Sequence, residues 1–185
     1  MKFSFKNRVN NKKENVKGGS YVIVNLEGFL RTHGIYFELY KHDPIYTNEA
    51  AVKMKEEKGF IGTETKALFL KGKSGRYYSF VTFTTKNVDF KQLKKVVGEK
   101  IKIVQPDEMK AVTGQIPGAV TPLGYEETVS LIVDEELFRQ EKLVFAPARP
   151  DQTMVIATKD LNKIIQLLGN ELFVYNEKEY KEESK

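Results

Sequence analysis

The sequence predicts an α+β domain of short strands and short helices. Runs such as VSLIV and KLVFA are apolar over four or five residues and read as strands. FKQLKKVV and LNKIIQLL instead place apolar residues at helical spacing. Strands and helices of this kind follow one another in mixed order, which is the pattern of an α+β domain rather than of a bundle or a sandwich. At 185 residues the chain fits one domain with a continuous core. Its 41% hydrophobic and 11% aromatic content is ordinary for a globular protein and too rich for a disordered one.

Each element has local signals. Ser20 is placed to cap a first helix whose apolar residues Val22, Ile23, Leu26, Phe29 and Leu30 follow helical spacing, with His33 at its end and Gly34 beyond. Residues 35–41 (IYFELYK) read as a strand, and 42–44 (HDP) as a turn. Thr47 or Asn48 begins a short charged helix that stops at Gly59. Residues 65–71 and 76–83 are adjacent strands joined by the turn GKSG. Asp89 and Gln92 form a capping-box pattern for a helix ending at Gly98. IKIV is a short strand, and Pro106 suits the first turn of a helix ending near Gly114. Strands VSLIV, KLVFA and TMVIAT follow, and Thr158 caps a last helix bearing Leu161, Ile164, Ile165 and Leu168. The organisation read from this pass is a basic arm over 1–20, one domain over 21–175 and a charged tail over 176–185.

Composition excludes several chemistries. Without cysteine there is no disulfide scaffold, thiolate metal site or cysteine nucleophile, and a reducing cytoplasm is the expected location. His33 and His42 fall on different predicted elements, so no metal is expected. There is no GxSxG elbow, and GKSG is too short for a phosphate-binding Walker loop. No cofactor is expected, and an enzyme with this sequence works without conspicuous acid–base side chains. No apolar run is long enough to span a bilayer, so no membrane partner is expected.

The net charge of +5 is uneven. Residues 1–20 hold Lys2, Lys6, Arg8, Lys12, Lys13 and Lys17 against Glu14 alone, and the remaining 24 basic and 24 acidic residues cancel. The arm reads either as a source of sequence-independent attraction to phosphates or as a solvated leader.

Residues 113–125, TGQIPGAVTPLGY, hold three glycines and two prolines and no charged side chain. Such a loop is either a stiff turn between core elements or a backbone surface shaped to receive a ligand. This loop, with YKHDPIYTNEAA (40–51), TKALFLKGKSGRYYSFV (65–81) and FAPARPDQTMVIATKDL (145–161), resembles the free-standing aminoacyl-tRNA editing domains of the YbaK/ProX family. These are relatives of the editing domain inserted in bacterial prolyl-tRNA synthetases. The resemblance covers roughly residues 21–170. It implies a compact mixed, largely antiparallel, barrel-like sheet flanked by helices. It also implies hydrolysis of the ester joining a wrong amino acid to the 3′ end of tRNA.

The same resemblance assigns roles. Lys66 holds the phosphate or ribose of the terminal adenosine. GQIPG matches the family's GxxPG pattern, so Gly114 and Pro117 shape the loop while the amides of Gly118 and Ala119 face the scissile carbonyl and its developing oxyanion. One such donor is typically worth about 3–4 kcal/mol in the transition state. Thr121, Ala146, Arg149, Asp151 and His42 are expected on the substrate side, His42 as a turn residue near the pocket mouth. No strong protein base is needed, because the ester is already activated and the vicinal ribose hydroxyl helps position water. Alanine-removing members carry FHP where this chain has FAP, and cysteine-removing members carry SxGxRG where it has APARPD. FAPARPDQTMVIAT is closer to the branch that clears serine and threonine, with Asp151 or Thr153 contacting the substrate's polar groups. Near-neutral charge outside the arm assigns delivery of the aminoacyl-tRNA to a partner such as a synthetase. The competing readings are a non-catalytic module that binds tRNA or aminoacyl-adenosine on the same fold, and an unrelated small-ligand barrel.

Overall fold

β2 (Thr63–Gly72) organises the sheet because it is long enough to pair along both edges. In the computed structural model, which describes residues 24–45 and 48–176, it follows α1 (Leu26–Thr32), β1 (Phe37–Lys41) and α2 (Asn48–Lys58). After it come β3 (Tyr77–Phe83), α3 (Phe90–Val97), β4 (Ile101–Ile103), α4 (Pro106–Thr113) and β5 (Ser130–Asp134). The described chain continues through β6 (Lys142–Phe145), β7 (Gln152–Ala157), α5 (Leu161–Leu168) and β8 (Leu172–Tyr175). The strand order is β1-β7-β6-β2-β3-β5-β8, with β4 added to β2 beside that path. β1/β7, β7/β6, β2/β3 and β2/β4 are antiparallel, whereas β2/β6, β3/β5 and β5/β8 are parallel. The α+β class with a helix-flanked mixed sheet is the one expected.

The central strands are apolar on both faces because both are covered. Phe69, Tyr77, Val81, Leu131 and Val133 join a main core with Leu30 of α1, Met109 of α4 and Ile164 of α5. Their alternating neighbours Leu70, Tyr78, Phe80 and Ile132 pack with Leu93 of α3 and Tyr175 of β8. Met54 of α2 forms a smaller cluster with Phe60, Val144 and Val155. Fully burying one such side chain typically stabilises by about 1.5–3 kcal/mol, so these helices are held mainly by packing.

Several helix ends differ from the expectation. Asn25, not Ser20, caps α1, its Oδ1 accepting from Gly28 N at 3.1 Å. Ser20, Val22, Ile23, Thr47, the arm and the tail from 177 lie outside the described residues. His33 ends α1 as expected. Asp89 caps α3 through Lys91 N and Gln92 N, but the reciprocal half of the capping box is absent. Gln92 is turned into the core beside Leu93, with Oε1 unbonded among the described residues. Thr158 does not cap α5. It opens a 3-10 turn, Thr158–Asp160, and its buried hydroxyl has no partner among the described residues. β8 was not foreseen, because LFVY is short, half-exposed and becomes a strand only by pairing with β5.

Candidate active site

On one edge of β2 the ladder to β6 ends at Glu64 and the ladder to β4 begins at Leu70. Residues 65–69 lie between the two. At one rim Thr65 Oγ1 donates to Val144 O of β6 at 2.9 Å; at the other, Val104 N donates to Phe69 O at 3.0 Å. β6 leads into residues 146–151 from the first rim, and β4 leads through α4 into the GQIPG loop from the second. Both loops leave from the rims of this stretch, but strand alternation turns Lys66, paired with Thr82, to the face of Leu70 and Phe80, whereas the GQIPG loop packs through Tyr125 and Pro122 on Phe69 and Ser79 of the other face.

The loop is a β-turn supported by a buried polar lock. Gly114 ends α4 in the left-handed conformation at φ 73°. Ala119 N then donates to Ile116 O at 3.2 Å, enclosing Pro117 and Gly118. Gly118 has φ 87°, which is the third position of a type II turn, where glycine is required. Beneath it, Gln115 Oε1 accepts from Thr121 N at 2.7 Å, and Gln115 Nε2 donates to the Tyr125 hydroxyl at 2.9 Å. The Tyr125 hydroxyl donates to Thr121 O at 2.8 Å, and Thr121 Oγ1 donates to Leu123 O at 2.9 Å. Tyr125 stacks on Phe69 of β2 with ring centroids 5.5 Å apart, and Ser79 of β3 donates to Pro122 O. Burial raises the Tyr125 pKa strongly, keeping the hydroxyl protonated.

This arrangement corrects two expected roles. The buried Ala119 amide is already bonded within the turn, which leaves the exposed Gly118 amide, with no acceptor among the described residues, as the available donor. Thr121 is 1% exposed with N, O and Oγ1 all bonded internally, so it holds the loop's shape and has no polar atom left for substrate. Gln115 and Tyr125, which the sequence reading passed over, complete the lock. Their signal was present: two large polar side chains in an otherwise apolar loop.

Lys66 Nζ donates to the carbonyls of Thr84, at 3.3 Å, and Lys86. The Lys86 ammonium is in turn bonded to Asp134 Oδ2 at 2.9 Å and Glu136 Oε2 at 2.8 Å. Burial alone would lower the Lys86 pKa, but these carboxylates outweigh it and raise it. Asp134 is 1% exposed and also accepts from Thr82 Oγ1 at 2.6 Å. The carbonyls that hold Lys66 thus stand on a segment fixed by a buried ion pair.

His42 and the 146–151 loop form a third group. His42 N donates to Asp151 O at 3.1 Å and Ile45 N to Pro150 O at 3.0 Å, pinning the HDP turn to the loop. His42 Nδ1 meets the Asp43 carbonyl at 2.8 Å. In the neutral ring this makes Nδ1 the donor and leaves Nε2 to accept from Thr153 Oγ1 at 3.0 Å. Arg149 grips Asp151 with two bonds, 2.9 and 2.7 Å, and this contact lowers the Asp151 pKa. The Asp151 carboxylate is thus partnered by an exposed guanidinium. Ala146 and Ala148 leave the loop without bulk, and Ala148 carries a positive φ of 63°. No hydrogen bond joins Lys66 to the GQIPG loop among the described residues. Two surface cavities, of about 100 and 350 Å³, are lined by neither Lys66 nor Gly118. Among the described residues, no group of three His, Cys, Asp or Glu is arranged to hold a metal, and no helix is long and apolar enough to cross a membrane.

A β2-centred mixed sheet carrying these blocks defines an editing-domain architecture. The chain matches the profile of the aminoacyl-tRNA editing domain over residues 42–164 and belongs to that family. Lys66, the GQIPG loop and the Arg149–Asp151 pair all lie within the match.

Among individual proteins, the prolyl-tRNA editing protein ProX of Acetoanaerobium sticklandii is 30% identical over 142 residues, covering 74% of this chain and 85% of that protein. The multifunctional Ser/Thr-tRNA deacylase ProXp-y of Escherichia coli is 24% identical over 153 residues, covering 80% and 90%. The crystal structure of a candidate trans-editing enzyme for prolyl tRNA synthetase shares the fold with a TM-score of 0.62 at 21% identity, covering 80% of this chain and 91% of that one.

Proposed function

We propose that this protein is a trans-editing hydrolase that clears serine or threonine from mischarged tRNA. The observation that carries the reading is the family match over both Lys66 and a GQIPG turn whose exposed amide is Gly118. An ammonium has three N–H donors. Two of those on Lys66 meet the Thr84 and Lys86 carbonyls, leaving one for the phosphate or ribose of the terminal adenosine. The Gly118 amide donates to the carbonyl oxygen as it becomes an oxyanion. Water adds to the carbonyl carbon, the ester C–O bond breaks, and the ribose oxygen leaves with the proton. The vicinal ribose hydroxyl positions that water, so the protein supplies orientation and charge stabilisation.

Small Ala146 and Ala148, with a Thr153 hydroxyl oriented by His42, suit a small hydroxylated amino acid. Likeness to ProXp-y supports the same choice. Activity is placed in the cytoplasm, on aminoacyl-tRNA released or handed over by a synthetase. The test is ester loss from tRNAs charged with alanine, serine, threonine or cysteine, each mixed with the full chain. Loss from the serine and threonine samples is expected. Loss confined to alanine or cysteine reassigns the pocket, and no loss above the spontaneous rate in any sample leaves a non-catalytic binding module.

A further inference from the structure

The charge that cancels over the domain does not cancel locally. Residues 71–110 hold ten basic and four acidic residues. The antiparallel register of β2 and β4 sets Lys71 opposite Lys102, and Lys73 N donates to Lys100 O at 2.9 Å, one step further along. Two lysine pairs therefore face each other across neighbouring strands. Lys71 and Lys102, paired within the strands, lie on one face, and Lys73 and Lys100 continue the same register just beyond the strand ends. Lys71 fixes which face: its ammonium bonds Glu108 of α4 at 2.6 Å and lies 5.0 Å from the Tyr77 ring centroid. Lys73, Lys100 and Lys102 are exposed and form no ion pair among the described residues. Glu99, the nearest other carboxylate in sequence, is bonded to Ser74 N, Ser74 Oγ and the Tyr78 hydroxyl.

Like charges directly opposite on paired strands destabilise the sheet. Glu108 offsets the charge at Lys71, but no ion pair among the described residues offsets Lys73, Lys100 or Lys102, and a polyanion laid across them would. Among the described residues no exposed aromatic stands beside these lysines to stack bases, so the fit is to a sugar–phosphate backbone rather than to an unpaired strand. α4, which supplies Glu108, leads directly into Gly114 and the GQIPG turn. Eight helical residues span about 12 Å.

We propose that Lys71, Lys73, Lys100 and Lys102 form the docking surface for the phosphate backbone of a double-helical RNA stem whose acylated end reaches the GQIPG loop. The orientation of that stem rests on the proposed deacylase activity; the binding itself does not. The test uses the full chain and an uncharged RNA hairpin with an unpaired CCA 3′ end, read by fluorescence anisotropy. The basic arm is present in every sample, so it cancels from the comparison. The ladder variant Lys73→Ala/Lys100→Ala/Lys102→Ala is set against Lys91→Ala/Lys94→Ala/Lys163→Ala, which removes equal charge from exposed positions on α3 and α5.

The ladder variant is expected to bind at least about tenfold more weakly at low salt, with the control within about twofold of wild type. With three fewer phosphate contacts, it also loses about 40-fold less affinity than wild type between 50 and 200 mM salt. A ladder variant that binds like the control overturns the proposal, as does equal weakening toward an unstructured RNA of the same composition. A 3′-aminoacyl adenosine, which has no stem, separates the two readings. Hydrolysis of it is expected to be unchanged in the ladder variant. If wild type leaves it intact, the proposed activity fails while the anisotropy result still decides the docking surface.

Discussion

Tyr125→Phe isolates the lock beneath the GQIPG turn. The substitution deletes one hydroxyl and keeps the ring that stacks on Phe69, so it opens almost no cavity. That hydroxyl donates to Thr121 O at 2.8 Å and accepts from Gln115 Nε2 at 2.9 Å, and all three residues are at most 1% exposed. Its loss leaves a carbonyl and an amide N–H buried without partners. One unsatisfied buried group costs about 1–3 kcal/mol, and partial relaxation of the flexible Gln115 side chain places the pair at about 2–3 kcal/mol. For a chain of this length that lowers the thermal midpoint by about 5–10 °C. Urea denaturation with an unchanged m-value measures it, and Tyr36→Phe, at a 72% exposed tyrosine, serves as the neutral control. Deacylation kcat/KM should fall as well, because Thr121 and Gln115 hold the turn that aims the Gly118 amide. A loss under about 0.5 kcal/mol, within the range of ordinary surface substitutions, together with unchanged kcat/KM, refutes the idea that this lock shapes the loop.

Lys66→Ala should lower deacylation by more than about 100-fold, comparable to removing one transition-state donor, while leaving the denaturation midpoint near wild type; full activity in a folded variant ends the proposed role. Gly118→Ala meets no neighbouring atom but forces a side chain to φ 87°, so it should cost about 1–2 kcal/mol through the backbone and reduce activity; unchanged stability contradicts this. Ala148→Gly should instead raise the unfolding free energy by about 0.5–1 kcal/mol, relief at φ 63° outweighing glycine's added chain entropy, and a lowered urea midpoint sinks the reasoning. Glu38, Glu99 and Glu108 sit below the usual carboxylate range, held there chiefly by Lys142, the Tyr78 hydroxyl and Lys71. Their stabilisation is present above the unfolded pKa and lost as pH falls through the depressed folded value. Tyr40, bonded to Glu38, and Tyr78, buried and bonded to Glu99, are pushed up to about 12, so their contribution holds below the ordinary 10.0 and is lost as pH rises through 12. Stability should be flat between about pH 5 and 9, and equal thermal midpoints at pH 3 and pH 7 refute the carboxylate half.

What was legible in the sequence follows physical range. Asp89, Pro106, Gly98 and Gly114 act through contacts within one helical turn, and each sits at the boundary its residue type announces. α1 is capped by Asn25, directly before the buried Leu26, rather than by the Ser20 the sequence reading chose, which lies outside the described residues. β8 depends on β5, some forty residues earlier, and no local pattern reports such a pairing. For the site, GQIPG reads as a turn because proline followed by glycine is type II chemistry. The Asp134–Lys86 pair behind Lys66 was not legible, since it forms between two elements far apart in sequence.

The absence of charge in TGQIPGAVTPLGY has a cause on the core side, whatever the proposed substrate side adds. Residues 121–125 are buried, Tyr125 and Leu123 in the main core, so a charge there would need a partner that the surrounding apolar side chains do not offer. The turn itself presents backbone, and a backbone amide brings no pKa and no rotamer to be disordered. A fixed amide is a weaker charge than a lysine or histidine, but it needs no reorganisation as the oxyanion forms. The two requirements select the same residues: an apolar stretch to anchor the loop below, and glycine with proline to hold one N–H outward above. If the proposed role of the Gly118 amide holds, a search for acid–base side chains passes over the site because the donor belongs to the main chain.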